Sequence, residues 1–395
     1  MSLRALLLFL VVRPLLAQQA VTRAQAVEAA LTRGARAAFG RADSAAAAGA
    51  VHGARLYPNP VLSATYTKDL PHYHVIADLP LDLPWIRAAR IGTAASARDA
   101  THYSVAFERA AIRFDVDTAY TQALAAQNRA RLSRRNAIAA DSLLKMAQLR
   151  REVGDVSELD VNLAAVNAGQ LENAAADDSI AAVGAIVVLQ LAMGLPGDDV
   201  TITLADSLTP PADTLPPQPE ILLPVAAAAA SLRSSERALA FAHRSVFAGT
   251  SLQFGVEGGD STGPGGSLPT VGLSLPIPLF NWNGGEVAQA AAARDRAQAN
   301  LNLVTRETTA EVAQARRNFT AALARLGRSR RLLAAATRVA EMSLQAYAEG
   351  ANPLAAVLEA QRNAREALGR YIDDVAAASN AAAAWRLVSA SAPEP

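Results

Sequence analysis

Cysteine is missing from this chain of 395 residues, and with it go disulfide frameworks, thiolate metal sites, cysteine nucleophiles and a lipid anchor carried on cysteine. Nor does either charge prevail. Lys and Arg number 37 against 36 Asp and Glu, and removing a leader that carries Arg4 and Arg13 leaves 35 against 36, so no basic surplus points to nucleic acid. Aromatics make up only 5% of the chain, which beside abundant Ala favours close helix-to-helix contact over a bulky core. Past the leader, no stretch of 18 residues is apolar and free of charge, so no transmembrane helix is expected. The GxSxG, HExxH, Walker and dinucleotide fingerprints are missing too, so neither enzymatic activity nor a cofactor is expected. What is present, 51% hydrophobic and 18% charged residues, excludes disorder and describes a folded chain.

Residues 1–17 read as an export signal: Arg4 in a short n-region, an apolar run from Ala5 to Val12, and Leu15-Leu16-Ala17 as a small-residue cleavage site. Beyond it the chain repeats itself at a constant offset of 196. Leu79-Pro80-Leu81-Asp82-Leu83 falls on Leu275-Pro276-Ile277-Pro278-Leu279, Ala97-Arg98-Asp99 on Ala293-Arg294-Asp295, Val116 on Val312, Gly154 on Gly350 and Ala164 on Ala360. A duplicated supersecondary unit explains this without a gap. The reading is a first repeat over 18–195, a Pro-rich linker over 196–217 containing Pro210-Pro211 and Pro216-Pro217, a second repeat over 218–391 and a tail over 392–395.

Within each copy proline is scarce where it matters, with none from Trp85 to Leu195 or from Phe280 to Asn352. Each window holds a very long helix, about 86–152 and 285–348, ended by Gly154 or Gly350 and followed by a return helix, about 156–194 and 354–391. The first would run on the order of 100 Å at about 1.5 Å per residue. Shorter segments at about 22–52 and 218–245 bring the companions of each long helix to equal length. Steps of four and three from Ile112 to Ala147, and from Thr308 to Ser343, meet small or apolar residues and no charge, a seam with the 3.5-residue period of a left-handed supercoil. A plain antiparallel coiled coil would show the same seam.

The segments before each long helix alternate. Tyr73, Val75, Ala77 and Leu79 stand opposite His74 and Asp78, after a strand at Val61 to Thr67; Leu252, Phe254 and Val256 stand opposite Gln253 and Glu257, followed by Val271 and Leu273 around Gly272 and Ser274. Gly258 to Ser267 is a Gly-rich exposed loop. Strands near ten residues with apolar-out dyads carry the membrane β-barrel signature. Four strands cannot close a barrel, so several chains must share one; a soluble sheet covered by helices is the alternative. His72 and His74 share a strand face and could bind metal, but exposed polar residues at a hairpin loop explain them better, and no metal site is expected.

Taken together these residues resemble the TolC-type outer-membrane efflux factors. The likeness covers nearly the whole mature chain and rests on Tyr57-Pro58-Asn59-Pro60, on Leu275-Pro276-Ile277-Pro278-Leu279-Phe280 with Gly284-Gly285, and on the tips Arg151 to Val161 and Tyr347 to Pro353. Pro58-Asn59-Pro60 is similar to the heavy-metal efflux subgroup. The resemblance implies a mainly α fold with a small β part: coiled-coil helices in a trimeric α-barrel, and four strands per chain completing a shared 12-stranded barrel in the outer membrane, with a periplasmic extension. It implies a homotrimer that is a passive exit duct, gated at its helical end, with a periplasmic adaptor and an inner-membrane pump as partners, outer-membrane lipid around it and no nucleic acid. A soluble periplasmic coiled coil is the alternative function. The adaptor-docking tips would be Arg151, Gly154, Ser157, Gly350, Asn352 and Pro353, and the lipid-facing residues Tyr73, Val75, Leu252, Phe254, Val256, Val271 and Leu273. Family members narrow the periplasmic mouth with acids at positions that here are Ala356 and Glu359, so a carboxylate ring is reduced to Glu359 or shifted to Asp160, where it would hold cations.

Overall fold

The computed structural model describes residues 19–259 and 266–391; the leader, the middle of the Gly258–Ser267 loop and the tail at 392–395 lie outside the described residues. In chain order the elements are β1 (Gln19–Val21), α1 (Arg23–Arg33), α2 (Ala35–Arg55), β2 (Val61–Tyr66), β3 (Tyr73–Pro80), α3 (Pro84–Glu152), α4 (Glu158–Ala192) and β4 (Ile202–Leu204). The second half gives α5 (Leu223–Arg244), β5 (Ser251–Gly258), β6 (Ser267–Ser274), α6 (Gly284–Ala348) and α7 (Leu354–Val388). The chain is mainly helical with a small sheet part. It folds as two compact units, each of which draws on both halves of the sequence.

One unit comprises the described part of Met1–Ala35 with Ile112–Pro216 and Ala315–Leu387. Here the long helices and their return helices pack through the seam, whose positions from Ile112 to Ala147 and from Ala315 to Ser343 are all buried or half-buried. Small residues set the spacing: Ala123 and Ala147 are fully enclosed, while Tyr120 and Phe319 fill the wider gaps. Polar pins interrupt it at equivalent places. Ser133 donates to Asp178 and, 196 residues on, Ser329 donates to Asp374. Arg129 pairs with Asp373, and Arg325 reaches Asp374 at 2.5 Å.

The same unit holds a feature the sequence reading lacks. Residues 202–204 of the linker form β4, which lies parallel to β1 with Gln19 opposite Ile202 and Val21 opposite Leu204. Buried Tyr120 donates to the Val21 carbonyl at 2.8 Å, and burial pushes its phenol up to about 12. Gln190, fully enclosed, donates to the carbonyls of Pro196 and Asp199 and accepts from Thr201, so the linker's start is pinned to the end of α4. The expected single segment at 22–52 is two helices, parted at Gly34 where the backbone turns extended. By length and average composition alone, α4 is long and apolar enough to cross a membrane, although no run of 18 residues in it is free of charge.

The other unit comprises Arg36–Ala111 and the described parts of Pro217–Gln314 and Val388–Pro395. Its sheet has the order β2-β3-β5-β6, antiparallel throughout, leaving β2 and β6 as edges. The strands are six to eight residues long, shorter than the ten expected. The turn from β3 into α3 is built on Asp82, whose side chain is 2% exposed between Arg90 at 2.6 Å and Arg87 at 3.2 Å. Arg87 also lies 4.5 Å over the Tyr57 ring, so the Tyr57-Pro58-Asn59-Pro60 segment packs onto this corner.

Candidate functional site

Two regions gather the residues singled out from the sequence. In the sheet, register decides which side chains share a face. Val75 lies opposite Val256, Ala77 opposite Phe254 and Leu79 opposite Leu252; across the next pair Leu252 meets Leu273 and Phe254 meets Val271. Since side chains alternate along each strand, Tyr73, Val75, Leu252, Phe254, Val256, Val271 and Leu273 all project from one face. That face is apolar and uncovered, with Phe254 47% and Val271 74% exposed. The edge strand β2 extends it with Leu62, Ala64 and Tyr66, opposite Ala77, Val75 and Tyr73. The sequence reading placed this strand but did not name its face residues, although the same alternation marks them.

The opposite face is mostly polar, with Val61, Ile76 and Leu268 among its residues. Gln253 donates to Asp78 at 3.0 Å, and His74 lies 3.4 Å from Glu257 with its other ring nitrogen 3.2 Å from the Thr67 hydroxyl. His72 faces the Thr67 carbonyl at 3.2 Å and stacks on Tyr66. Both histidines are therefore engaged in holding the β2–β3 hairpin, and among the described residues no group of three or more His, Asp or Glu is arranged to hold a metal.

The second region is the helical tip. α3 ends in a Schellman turn: Gly154 has φ +82°, its N–H bonds the Arg151 carbonyl at 3.0 Å, and the Asp155 N–H bonds the Arg150 carbonyl at 2.9 Å. α6 ends identically at Gly350, φ +76°, with Gly350 on Tyr347 at 3.0 Å and Ala351 on Ala346 at 2.8 Å. A Cβ added at either glycine would meet nothing within 4 Å, so glycine is required by the positive φ and not by crowding.

After the first turn Ser157 caps α4, accepting from the Asp160 N–H at 3.2 Å, while the Asp160 carboxylate accepts from the Ser157 N–H and hydroxyl. After the second turn Asn352 and exposed Pro353 lead directly into α7. Arg150 joins the tips: it bonds Asp155 at 2.6 Å, donates to the Tyr347 carbonyl at 3.3 Å and covers the Tyr347 ring at 4.8 Å. The Asp155 hydrogen bond raises its pKa further. Below it Leu143, Ala147, Ala164, Tyr347, Leu354 and Val357 form one core. The sequence reading singled out Arg151, which is exposed, and not its neighbour Arg150; one residue on a helix is a turn of 100°, and the contacts with Asp155 and Tyr347 tell the two apart. Glu359 is exposed on α7 and accepts from Arg362 at 3.0 Å and Asn363 at 3.4 Å; no described hydrogen bond or ion pair brings it together with Asp160.

Comparison with known proteins agrees with this geometry. A sequence model of the outer membrane efflux protein family matches residues 255–390. A cobalt-zinc-cadmium resistance protein of Cupriavidus metallidurans, CzcC, is 25% identical over 262 residues, covering 63% of this chain and 61% of that protein's length. Among solved structures, a membrane protein from Pseudomonas aeruginosa shares the fold with a TM-score of 0.77 at 18% identity, over 93% of both chains. The Campylobacter jejuni CmeC outer membrane channel does so at 0.77 and 14% identity, over 93% of this chain and 85% of that one. The family model thus falls on the second repeat, and over nearly its whole length the chain has the fold of a solved outer-membrane channel.

Proposed function

We propose that the protein is the trimeric outer-membrane exit duct of a tripartite efflux system, a passive channel gated at its helical tips. The observation that carries this reading is the sheet: four strands with one uncovered apolar face and two unpaired edges. An open edge in hydrocarbon costs several kcal/mol per unpaired group, so the sheet has to be continued by other copies. Three copies supply twelve strands, an even number within the range of bacterial barrels. A soluble coiled coil would leave that face and both edges in water.

In this reading lipid surrounds Tyr73, Val75, Leu252, Phe254, Val256, Val271 and Leu273, and a periplasmic adaptor docks on the tip residues Arg151, Gly154, Ser157, Gly350, Asn352 and Pro353. Glu359 and Asp160 line the mouth, and an inner-membrane pump supplies the energy. The name of the resistance relative makes divalent metal ions the first cargo class to test. The face assignment is tested by charge. Leu273→Arg should cost roughly 2–4 kcal/mol near the bilayer midplane, whereas Ser274→Arg on the polar face should be tolerated. Trimer yield in outer-membrane fractions reads the difference, and equal yields from the two variants would refute the membrane sheet.

A further inference from the structure

Within the helical unit the two repeats meet through α3 and α7. Ala125 packs with Ile372 and Ala376 in one buried cluster, and Arg129 pairs with Asp373 one turn along. Shifted by 196, these five residues become Ala321, Ala176, Ile180, Arg325 and Asp177. Three keep their identity, and the exchange of Ile372 and Ala376 for Ala176 and Ile180 keeps the summed volume. The shift is structural as well as sequential here, because it also carries the Ser133–Asp178 hydrogen bond onto Ser329–Asp374.

Yet the second contact, α6 against α4, is not made within the chain. Ala176, Asp177 and Ala321 are exposed and Ile180 is 72% exposed; no described ion pair or hydrogen bond engages Asp177, and Arg325 turns to Asp374 on its own return helix. The two uncovered helices are complementary in charge. α4 carries Glu158, Asp160, Glu172, Asp177 and Asp178 and no Lys or Arg, while α6 has seven Arg and no acid between Glu311 and Glu341. A contact that joins unlike faces, α3 to α7, cannot be repeated as α6 to α4 inside one chain; it continues head to tail into another. The same cover explains why an apolar helix such as α4 is left open in one copy.

We propose that α4 is the docking face for α6 of a second copy of this chain, registered by an ion pair between Arg325 of one copy and Asp177 of the next and by Ala321 seated against Ala176 and Ile180. The inference rests on the ring of copies proposed above and adds which faces meet and in what register. Absence of cysteine makes the test clean: Ala176→Cys with Ala321→Cys introduces the only two thiols of the full-length protein. In isolated outer membranes a short bifunctional thiol reagent should turn the double variant into covalent dimers and trimers on denaturing gels, and neither single variant should form them. Ala125→Cys with Ile372→Cys should instead link within one chain, without a gain in mass. Arg325→Glu should lower the yield of heat-resistant trimers about tenfold through like-charge contact, and adding Asp177→Arg should restore it. Trimers by native mass that neither cross-link nor respond to the charge exchange would overturn this contact while leaving the duct reading intact. Labelling of Ile180→Cys by a reagent confined to the bilayer would place α4 in lipid and also overturn it. Monomers throughout, including the unaltered protein, would overturn both.

Discussion

The corner where β3 leads into α3 and the corner where β6 leads into α6 follow equivalent paths in the two repeats, and they are held by different chemistry. At the first, the Asp82 carboxylate is enclosed between Arg87 and Arg90, whose guanidinium groups also donate to the Arg55 carbonyl at 2.7 Å and the Ala54 carbonyl at 3.1 Å. At the second, the positions equivalent to Asp82, Arg87 and Arg90 are Pro278, Asn283 and Glu286. Here Asn283 takes φ 64°, its side-chain amide donates to the Ala242 carbonyl and the Ser245 hydroxyl, both at 2.8 Å, and its N–H donates to the Asn281 side-chain oxygen at 2.9 Å. The duplication has preserved the backbone route and let the side-chain chemistry diverge. The tips repeat the lesson, with the same glycine turn in both copies but a Ser157–Asp160 cap in one and Pro353 with Ala356 in the other.

The largest effect should come from the charged corner. Asp82→Ala removes the shared partner of two guanidinium groups and should destabilise by roughly 2–3 kcal/mol, below the figure for a fully buried pair because both arginines keep about a third of their surface in water. Asn283→Ala loses two neutral hydrogen bonds and the residue best suited after Gly to a positive φ, about 1–2 kcal/mol. Denaturant titration of the detergent-solubilised protein measures both. Equal losses would mean that the two corners differ in appearance only.

Next in size are the tip glycines, where the copies should behave alike. Gly154→Val and Gly350→Val each force a β-branched residue to a positive φ, at a cost of about 1–2 kcal/mol confined to the turn. Both variants should reach the outer membrane as trimers and fail to complement an export defect. Export by either one would show that the two tips, though identical in backbone, do not share the docking role.

How much of this was legible depended on the length of the pattern. Long windows without proline, a seam of small residues and alternation in β3, β5 and β6 are periodic signals, and the helix breaks at Gly154 and Gly350 follow from local turn chemistry. β1 and β4 were not legible, because three residues show no period and their pairing spans some 180 positions of chain. The Asp82 cluster was hidden for another reason: Leu81-Asp82-Leu83 stood out only as part of the repeat, and nothing in a sequence shows that two arginines in the first two turns of the next helix fold back on the aspartate. The open face of α4 was obscured by a rule that asked for runs free of charge, which Asp177 and Asp178 break.

The smallest effects, at the starts of α4 and α7, separate cap from charge. Ser157→Ala removes the hydroxyl that accepts from the Asp160 N–H and should cost about 1 kcal/mol, whereas Pro353→Ala, just before α7, should cost a few tenths at most. Asp160 cannot be used alone to test a carboxylate ring, because its oxygens accept from Ser157 and any change there alters the start of α4 as well. Glu359 is free of that coupling: its partners Arg362 and Asn363 lie within one turn on the same exposed helix, and such a pair contributes little to stability. Glu359→Gln should therefore leave the denaturation midpoint unchanged and lower cation preference in planar bilayers if the residue lines the mouth. Unchanged selectivity would remove Glu359 from the mouth and leave Asp160, to be tested beside Ser157→Ala so that loss of the cap can be subtracted from loss of the charge.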